Sequence, residues 1–377
     1  MLTSLKNNRS LTFYQQTKTK YRSVNSSYAG GISAVPISRV SFTTMSTNNG
    51  YNAQLKEYLK KLNKLRADDA QRYNLSSPNQ AARNMGVKRA WMYEKADIEM
   101  GGSGSANWSA EEKAQILEHN SVRGSEGHHQ QNVSDHPEQQ ANPDNIKFYK
   151  TKDEHLHDGH DGNWDNESNK HLTYKNKMLE KSNSKRVFKN ELKGLGLVVA
   201  IGFGVGLTIG FITTLAQSGI TPDTLKLATI EGLKSGAESG ILSAVGYGIG
   251  RTIGSGVLEN AGITITENIS KMVNMGVVGA LTIVVFSTYQ FIKLKLKGVA
   301  TREALIQTGK QALFSLSLLA VSIAAQGIWG GAAGIIVSVS IGFIMITYYV
   351  TDAVHQRHFA EKIRIYAIEK CYPSFSV

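Results

Sequence analysis

One cysteine, Cys371, in 377 residues excludes an intramolecular disulfide framework and a cysteine-built zinc knuckle. A chain with no use for disulfides is compatible with a reducing compartment. Acidic residues are missing from position 1 through Lys56, where Lys and Arg are scattered among Ser and Thr. Such composition buries no core, so residues 1–50 are expected to be a disordered basic N-terminus. The same stretch has no apolar h-region, so no secretory signal is expected there. Met45 opens a more ordinary polar start and is a second candidate initiator beside Met1. Charge is missing from three long runs: 194–222 (29 residues), 272–292 (21) and 311–351 (41). These runs also lack polar faces at a 3.6-residue period, which excludes a water-soluble helical bundle.

What is present divides by region. Residues 1–100 carry 16 Lys/Arg against 6 Asp/Glu, residues 101–175 carry 7 against 13, and residues 176–377 carry 19 against 11. Eight of the ten histidines fall in the acidic middle, so the global basic balance describes no single domain. Residues 51–104 read as an amphipathic helix and linker, with Leu55, Tyr58, Leu59, Leu62 and Leu65 at helical spacing between lysines. That helix either packs on the following domain or lies as a basic arm over nucleic acid phosphates. Ser109 and Glu112 have the spacing of a capping box, which predicts a short helix from Ala110 with Ile116 and Leu117 inward.

The chemistry is concentrated between 124 and 165. Gly124-Ser-Glu-Gly-His-His-Gln-Gln carries the pair His128 and His129; Asn142-Pro-Asp-Asn-Ile follows; then comes Asp153-Glu-His-Leu-His-Asp-Gly-His-Asp-Gly-Asn-Trp164. Adjacent residues on a strand point to opposite faces, so the two histidines need not share one task. Pro143-Asp-Asn before Ile146 predicts a hairpin whose return strand starts at Ile146. A calcium loop beginning at Asp161 is excluded, because Asn166 and Leu172 stand where Gly and Glu would be required. Trp164 reads as core.

This layout resembles the GHH-signature HNH (ββα-metal) nucleases of bacterial polymorphic toxins, over roughly residues 105–170. The matching elements are Trp108-Ser-Ala-Glu-Glu, Glu126-Gly-His-His, Pro143-Asp-Asn-Ile, Glu154-His-Leu and His160-Asp-Gly-Asn-Trp. The resemblance implies catalytic His129 and Asn145, with His129 as general base. It implies one divalent metal ion (Mg, Mn, Ni or Zn) on His128, His155 and His160, with His157 as the alternative ligand. A metal-bound imidazole has no lone pair left for a proton, so a second, unligated His must deprotonate water. Relatives place the last two ligands at His-x3-His, one helical turn apart; here the spacing from 155 to 160 is His-x4-His. Phosphate contacts fall to Lys147, Lys150 and Lys152 in this acidic module.

The expected fold is α+β: a small ββα-metal module at 105–175, a basic linker at 176–194, then an all-α, Gly-rich, multi-span membrane domain at 195–351. Spans are expected near 195–216, 273–292, 311–326 and 329–350, long enough for roughly 30 Å of hydrocarbon. Residues 226–261 contain Lys234, Glu238, Arg251 and Glu259, so they are expected to be interfacial or re-entrant. With four spans, the basic clusters at 185–193, 293–310 and in the 352–377 tail helix fall on one side, the cytoplasm, together with the module. Glycines at 202, 206 and 210, at 232, 236 and 240, and at 246, 250 and 254 allow close helix approach, within the chain or in a homo-oligomer.

The expected function is a membrane-anchored, metal-dependent endonuclease, a toxin effector or defence nuclease. Its expected partners are nucleic acid (DNA ahead of RNA), the lipid bilayer and an immunity protein. The alternative is a membrane pore or translocation protein carrying the ββα module as a metal-held adaptor.

Overall fold

A computed structural model describes the backbone of residues 2–164, 166, 170–260, 267–330 and 333–371. The last six positions of the expected tail helix, residue 261 of the expected interfacial segment and residues 331–332 of the expected span 329–350 lie outside the described residues. Among the described residues the fold is mostly helical with one two-stranded sheet. It divides into two compact units, Ser46–Glu191 and Met1–Met45 with Leu192–Val377.

In the unit Ser46–Glu191, helix α1 (Leu2–Arg72) ends and α2 (Gln80–Glu99) and α3 (Ala110–His119) follow. Strands β1 (Glu126–His129) and β2 (Ile146–Tyr149) then pair antiparallel, with Glu126 opposite Tyr149 and His128 opposite Lys147. Short α4 (Lys152–Glu154) and the first turns of α5 (Lys175–Ser218) complete the unit. Asn79 caps α2, its Oδ1 accepting from the amides of Ala81 at 2.9 Å and Ala82 at 3.3 Å. Ser109 and Glu112 form the capping box of α3. Ile116 is fully buried, but Leu117 is 41% exposed, because only one edge of this short helix meets the core. That core is Trp91, Ile98, Trp108, Ile116, Ile146 and Phe148, with the Trp91 and Phe148 rings stacked at 3.9 Å. A second cluster joins Leu62 of α1 to Tyr93, Ala96 and Met100 at the end of α2 and Leu179 of α5, with Leu55, Tyr58 and Leu59 packed against it. The leucine spacing of 55–65 thus marks a packed face.

Helix α2 occupies sequence that reads as linker, and it carries a buried ion pair. Glu94, fully buried, meets Lys175 at 3.1 Å and accepts from Trp108 Nε1 at 2.9 Å and the Ser105 amide at 2.7 Å. Burial pushes the Glu94 carboxyl up, but Lys175 and these donors outweigh it and hold the group below the usual carboxylate range.

The helical unit contains α5 beyond Leu192, α6 (Pro222–Asn260), α7 (Glu267–Leu296), α8 (Thr301–Trp329), α9 (Ala333–Cys371) and the start of α1. Among the described residues, three helices are long and apolar enough to cross a membrane: α5, Met272–Leu296 within α7, and α8. Ala333–Ile344 is a shorter apolar stretch.

One expectation differs from the structure here. The N-terminus expected to be disordered is helical from Leu2, and Ala29, Ala34, Val35 and Ile37 are completely buried among α5–α9. Packing at 29–45 supplies the costly nucleus, after which extending the helix through 2–28 adds one hydrogen bond per residue fixed. The segment 226–261, expected to be interfacial or re-entrant, falls on α6, apart from residue 261, which lies outside the described residues. The described part of α6 packs on α5 through Gly202, Gly206 and Gly210, and on α7 through Gly246 and Gly250. Its charge is handled locally, since Glu238 pairs with Lys293. These glycines are taken up by contacts within the chain.

Candidate metal centre

Strand β1 directs His128 and His129 to opposite faces, as alternation requires. On the first face His128, His155 and His160 converge, each offering a ring nitrogen within 4.8 Å of the others. The side chain of His157 is 63% exposed and lies outside the cluster, 3.5 Å from Asp153. What unites residues five apart is a π-helical turn at His155–Gly159 following α4. An i→i+5 turn brings positions i and i+5 onto one face, so the extra residue of His-x4-His is absorbed by the helix type. The turn ends at Asp161 and Gly162, both with positive φ (50° and 84°).

Outer hydrogen bonds fix two of the rings. His155 Nδ1 lies 2.5 Å from the Glu126 carboxylate and His160 Nδ1 lies 3.0 Å from the Asn166 carbonyl. Both partners can only accept, so both Nδ1 atoms donate, which leaves Nε2 of each ring as the atom available to a ligand. His128 Nδ1 stands 2.9 Å from His155 Nε2, and the buried His128 Nε2 has no partner. Burial, then His155 and His160, pull the His128 pKa down to about 3, keeping that ring neutral. A neutral His128, its orphaned buried nitrogen and the carboxylate or carbonyl bonds on the far ring nitrogens of His155 and His160 together fit a divalent ion.

Tyr149 stacks on His155 at 5.4 Å and donates its hydroxyl to the Asp158 carbonyl. Trp164, read as core, is 45% exposed at the edge of His155 and His160. The π-turn directs the chain past the cluster, so the ring borders the site. Lys170 donates to the Asp158 carbonyl and lies 3.4 Å from that of Gly159, closing the same turn.

On the other face of β1, His129 Nε2 lies 3.0 Å from the Gln140 carbonyl. A carbonyl cannot donate, so Nε2 holds the proton and Nδ1 is the lone pair. Burial lowers the His129 pKa, with Arg83 adding to the effect and the Gln140 contact opposing it. The loop that supplies Gln140 is tied by Asn145, which is completely buried. Asn145 Oδ1 accepts from the Gln131 amide at 2.7 Å, and Nδ2 donates to the Gln131 carbonyl at 3.0 Å. Gly86 of α2 backs the loop, where a Cβ would fall 2.5 Å from the Gln140 carbonyl oxygen.

Of the three lysines expected on phosphate, Lys150 is already neutralised by Glu112 at 2.8 Å and also bonds the Asn107 carbonyl. Lys147 lies over Tyr149 and Lys152 over Trp164, bordering the histidine face. Glu126, Asn166 and Lys170 are neighbours of the site to which the sequence assigned no role. For Glu126 a signal existed, since it stands two residues before His128 on the same strand face.

No curated protein and no solved structure matches the chain. Residues 79–150, from the cap of α2 to the end of the hairpin, match the family model described as a GHH signature containing HNH/Endo VII superfamily nuclease toxin, in agreement with the resemblance carried by the histidine motif.

Proposed function

We propose that the chain is a membrane-embedded endonuclease of the toxin type, in which His128, His155 and His160 hold one divalent ion and His129 is the general base. One observation carries this: ring nitrogens of His128, His155 and His160 lie within 4.8 Å of one another, while Nδ1 of His155 and of His160 is committed to an acceptor and the buried His128 Nε2 has no partner. An imidazole-rich set suits Zn or Ni as well as Mn or Mg. When bound, a divalent ion supplies positive charge to the phosphorane-like transition state and the leaving oxygen.

The protein's own groups do the rest. His129 keeps its Nε2 proton on Gln140 and takes a proton from water at Nδ1. Its lowered pKa keeps it neutral, and so basic, below the usual imidazole range. Asn145 acts by holding the loop that holds His129, which makes it a positioning residue. Lys147 and Lys152 are placed to meet phosphates bordering the cluster. The substrate is nucleic acid, DNA ahead of RNA, and a toxin of this type calls for an immunity protein in the cell that makes it. The apolar helices embed the enzyme in a lipid bilayer.

The test uses the full chain in detergent with supercoiled plasmid and Mg²⁺, Mn²⁺, Ni²⁺ or Zn²⁺. Wild type should cut with at least one ion, and His129→Ala should not, while retaining close to one ion per chain. Cleavage by His129→Ala at the wild-type rate would sink the assignment. A pore or translocation bundle is the alternative, favoured by the buried polar side chains of the helical unit, such as Ser239, Gln311 and Gln326. An adaptor module in such a pore would need metal ligands but no free base.

A further inference from the structure

The helical unit distributes its side chains in the reverse of a water-soluble bundle. Ser33, Ser239 and Ser322 are completely buried without a hydrogen-bond partner, whereas Ile241, Val284 and Leu313 are exposed. A surface of that kind is satisfied by hydrocarbon. The path of the chain through the bilayer, as inferred from these helices, rests on the membrane-embedded function proposed for it.

Close contacts fix the direction of every helix. Thr44, Gly194 and Tyr247 meet at one end of the unit: a Cβ on Gly194 would lie 2.5 Å from Thr44 Oγ1 and 2.6 Å from the Tyr247 hydroxyl. Away from that end, Gly30 faces Phe286, Gly31 faces Ser315 and Gly342 faces Ile32. Gly219, past the end of α5, lies against Arg357 of α9. Residues 29–45 of α1 therefore run toward the Thr44 end, and α5 runs back from it.

The remaining helices alternate. Gly202 meets Ser243 while Gly210 meets Ser235, so α6 is antiparallel to α5. Gly246 meets Thr282 and Gly250 meets Val278, which sets α7 antiparallel to α6. Gly279 on Leu319 and Gly327 on Met272 do the same for α8 against α7. Gly334 on Ser322 starts α9 near the Thr44 end, and Arg357 on Gly219 carries it to the other. At 1.5 Å per residue the 17 residues 29–45 extend about 25 Å, close to the thickness of the hydrocarbon.

We propose that the chain crosses the bilayer six times, with residues 29–45 as a first, central pass and α6 as a full pass. The segment 46–191 leaves and rejoins the bundle at the Thr44–Gly194 end. Residues before 29, the 297–301 loop and the C-terminal tail leave it at the other. The nuclease segment and the two chain ends then face opposite compartments, which reverses the four-span expectation of a shared cytoplasmic side. Basic clusters flank both ends, at 185–193 on one and at 293–310 and 357–370 on the other. Packing direction, and not charge, decides this relative sidedness.

The lone cysteine makes the test direct. Full-length protein carrying His129→Ala, to spare host nucleic acid, is expressed and treated in sealed membrane vesicles with a membrane-impermeant maleimide. Cys371 reports the tail; in a Cys371→Ser background, Ser4→Cys reports the N-terminus and Ser77→Cys the nuclease segment. The expected result is that Cys371 and the Ser4→Cys variant react from one side, and the Ser77→Cys variant from the other. Reaction of Cys371 and the Ser77→Cys variant from the same side overturns the six-pass order. Reaction of the Ser4→Cys variant from the nuclease side removes the first pass. Extraction of the protein into the supernatant by alkaline carbonate defeats the membrane reading itself, and is recognised before any labelling.

Discussion

At the scale of single residues, the proposed function rests on which nitrogen of each imidazole is left free. His155→Ala, His160→Ala and His128→Ala should each lose most of the bound metal, whereas His157→Ala should lose little, as measured by elemental analysis of the full chain. Metal retained by His155→Ala and lost by His157→Ala would move the ligand set to the other pairing. Glu126→Gln is the finer probe. The amide oxygen can still accept from His155 Nδ1, but without charge, so affinity should fall by about 10–100-fold. The buried pair Glu94–Lys175 makes a separate prediction about stability. Removing one partner, as in Lys175→Met, leaves a buried carboxylate uncompensated and should cost about 3–5 kcal/mol. Because the folded-state pKa of Glu94 is depressed, its contribution is present above the unfolded carboxylate pKa and is lost as pH falls through the folded value. Wild type should therefore show an acid-side loss of melting temperature that Glu94→Gln, already weaker at neutral pH, lacks. Parallel acid-side curves for the two would remove Glu94 as the source.

At the scale of elements, the π-turn is the feature on which the histidine cluster depends. Inserting one alanine after Asp158 should rotate His160 by about 100° and abolish metal binding, while circular dichroism stays close to wild type. Deleting Asp158 should be tolerated better, because an ordinary α-turn also brings residues four apart onto one face. Equal metal loss in both variants would mean that the turn is merely fragile. The sequence makes some of this site legible and hides the rest. The cluster of His128, His155 and His160 is legible because the order of these residues is distinctive, and the same motif is what singles out His129 and Asn145 for the proposal. The π-turn is not, because His-x4-His does not state which helix type will absorb it. Helix α2 stays hidden because its buried face includes Glu94 and Asp97, which break the apolar period. Trp164 reads wrongly because an isolated tryptophan resembles core until its chain direction is known. The faces of α6 and of residues 29–45 escape hydropathy for a shared reason: they are built from Gly, Ala and Ser, residues that bury well in close helix contacts but score as neutral.

At the scale of the whole molecule, the helical unit is assembled from the two ends of the chain, with the segment Ser46–Glu191 inserted between them. Residues 29–45 supply Ala29 and Ile32 to one buried cluster, Ala34 and Val35 to a second, and Ile37 to a third. Without this helix the inward faces of α5–α9 would lose their common partner. Buried apolar side chains such as Leu242, Phe286, Ile283 and Leu319 would then line a cavity, which destabilises a packed core. Deleting residues 2–28 should leave the unit intact. Deleting 2–45 should lower its thermal stability in detergent sharply or prevent its purification as a single species. The outcome also bears on the two candidate initiators, since a chain begun at Met45 would lack this helix altogether. The nuclease segment keeps its own core of Trp91, Trp108, Ile146 and Phe148 in either truncation. Metal content of the membrane fraction should therefore separate a damaged bundle from a damaged site: the longer deletion should keep its bound ion per folded chain while losing bundle stability. A 2–45 deletion that melts at the wild-type temperature would show that the central helix is dispensable, and would take the six-pass order down with it.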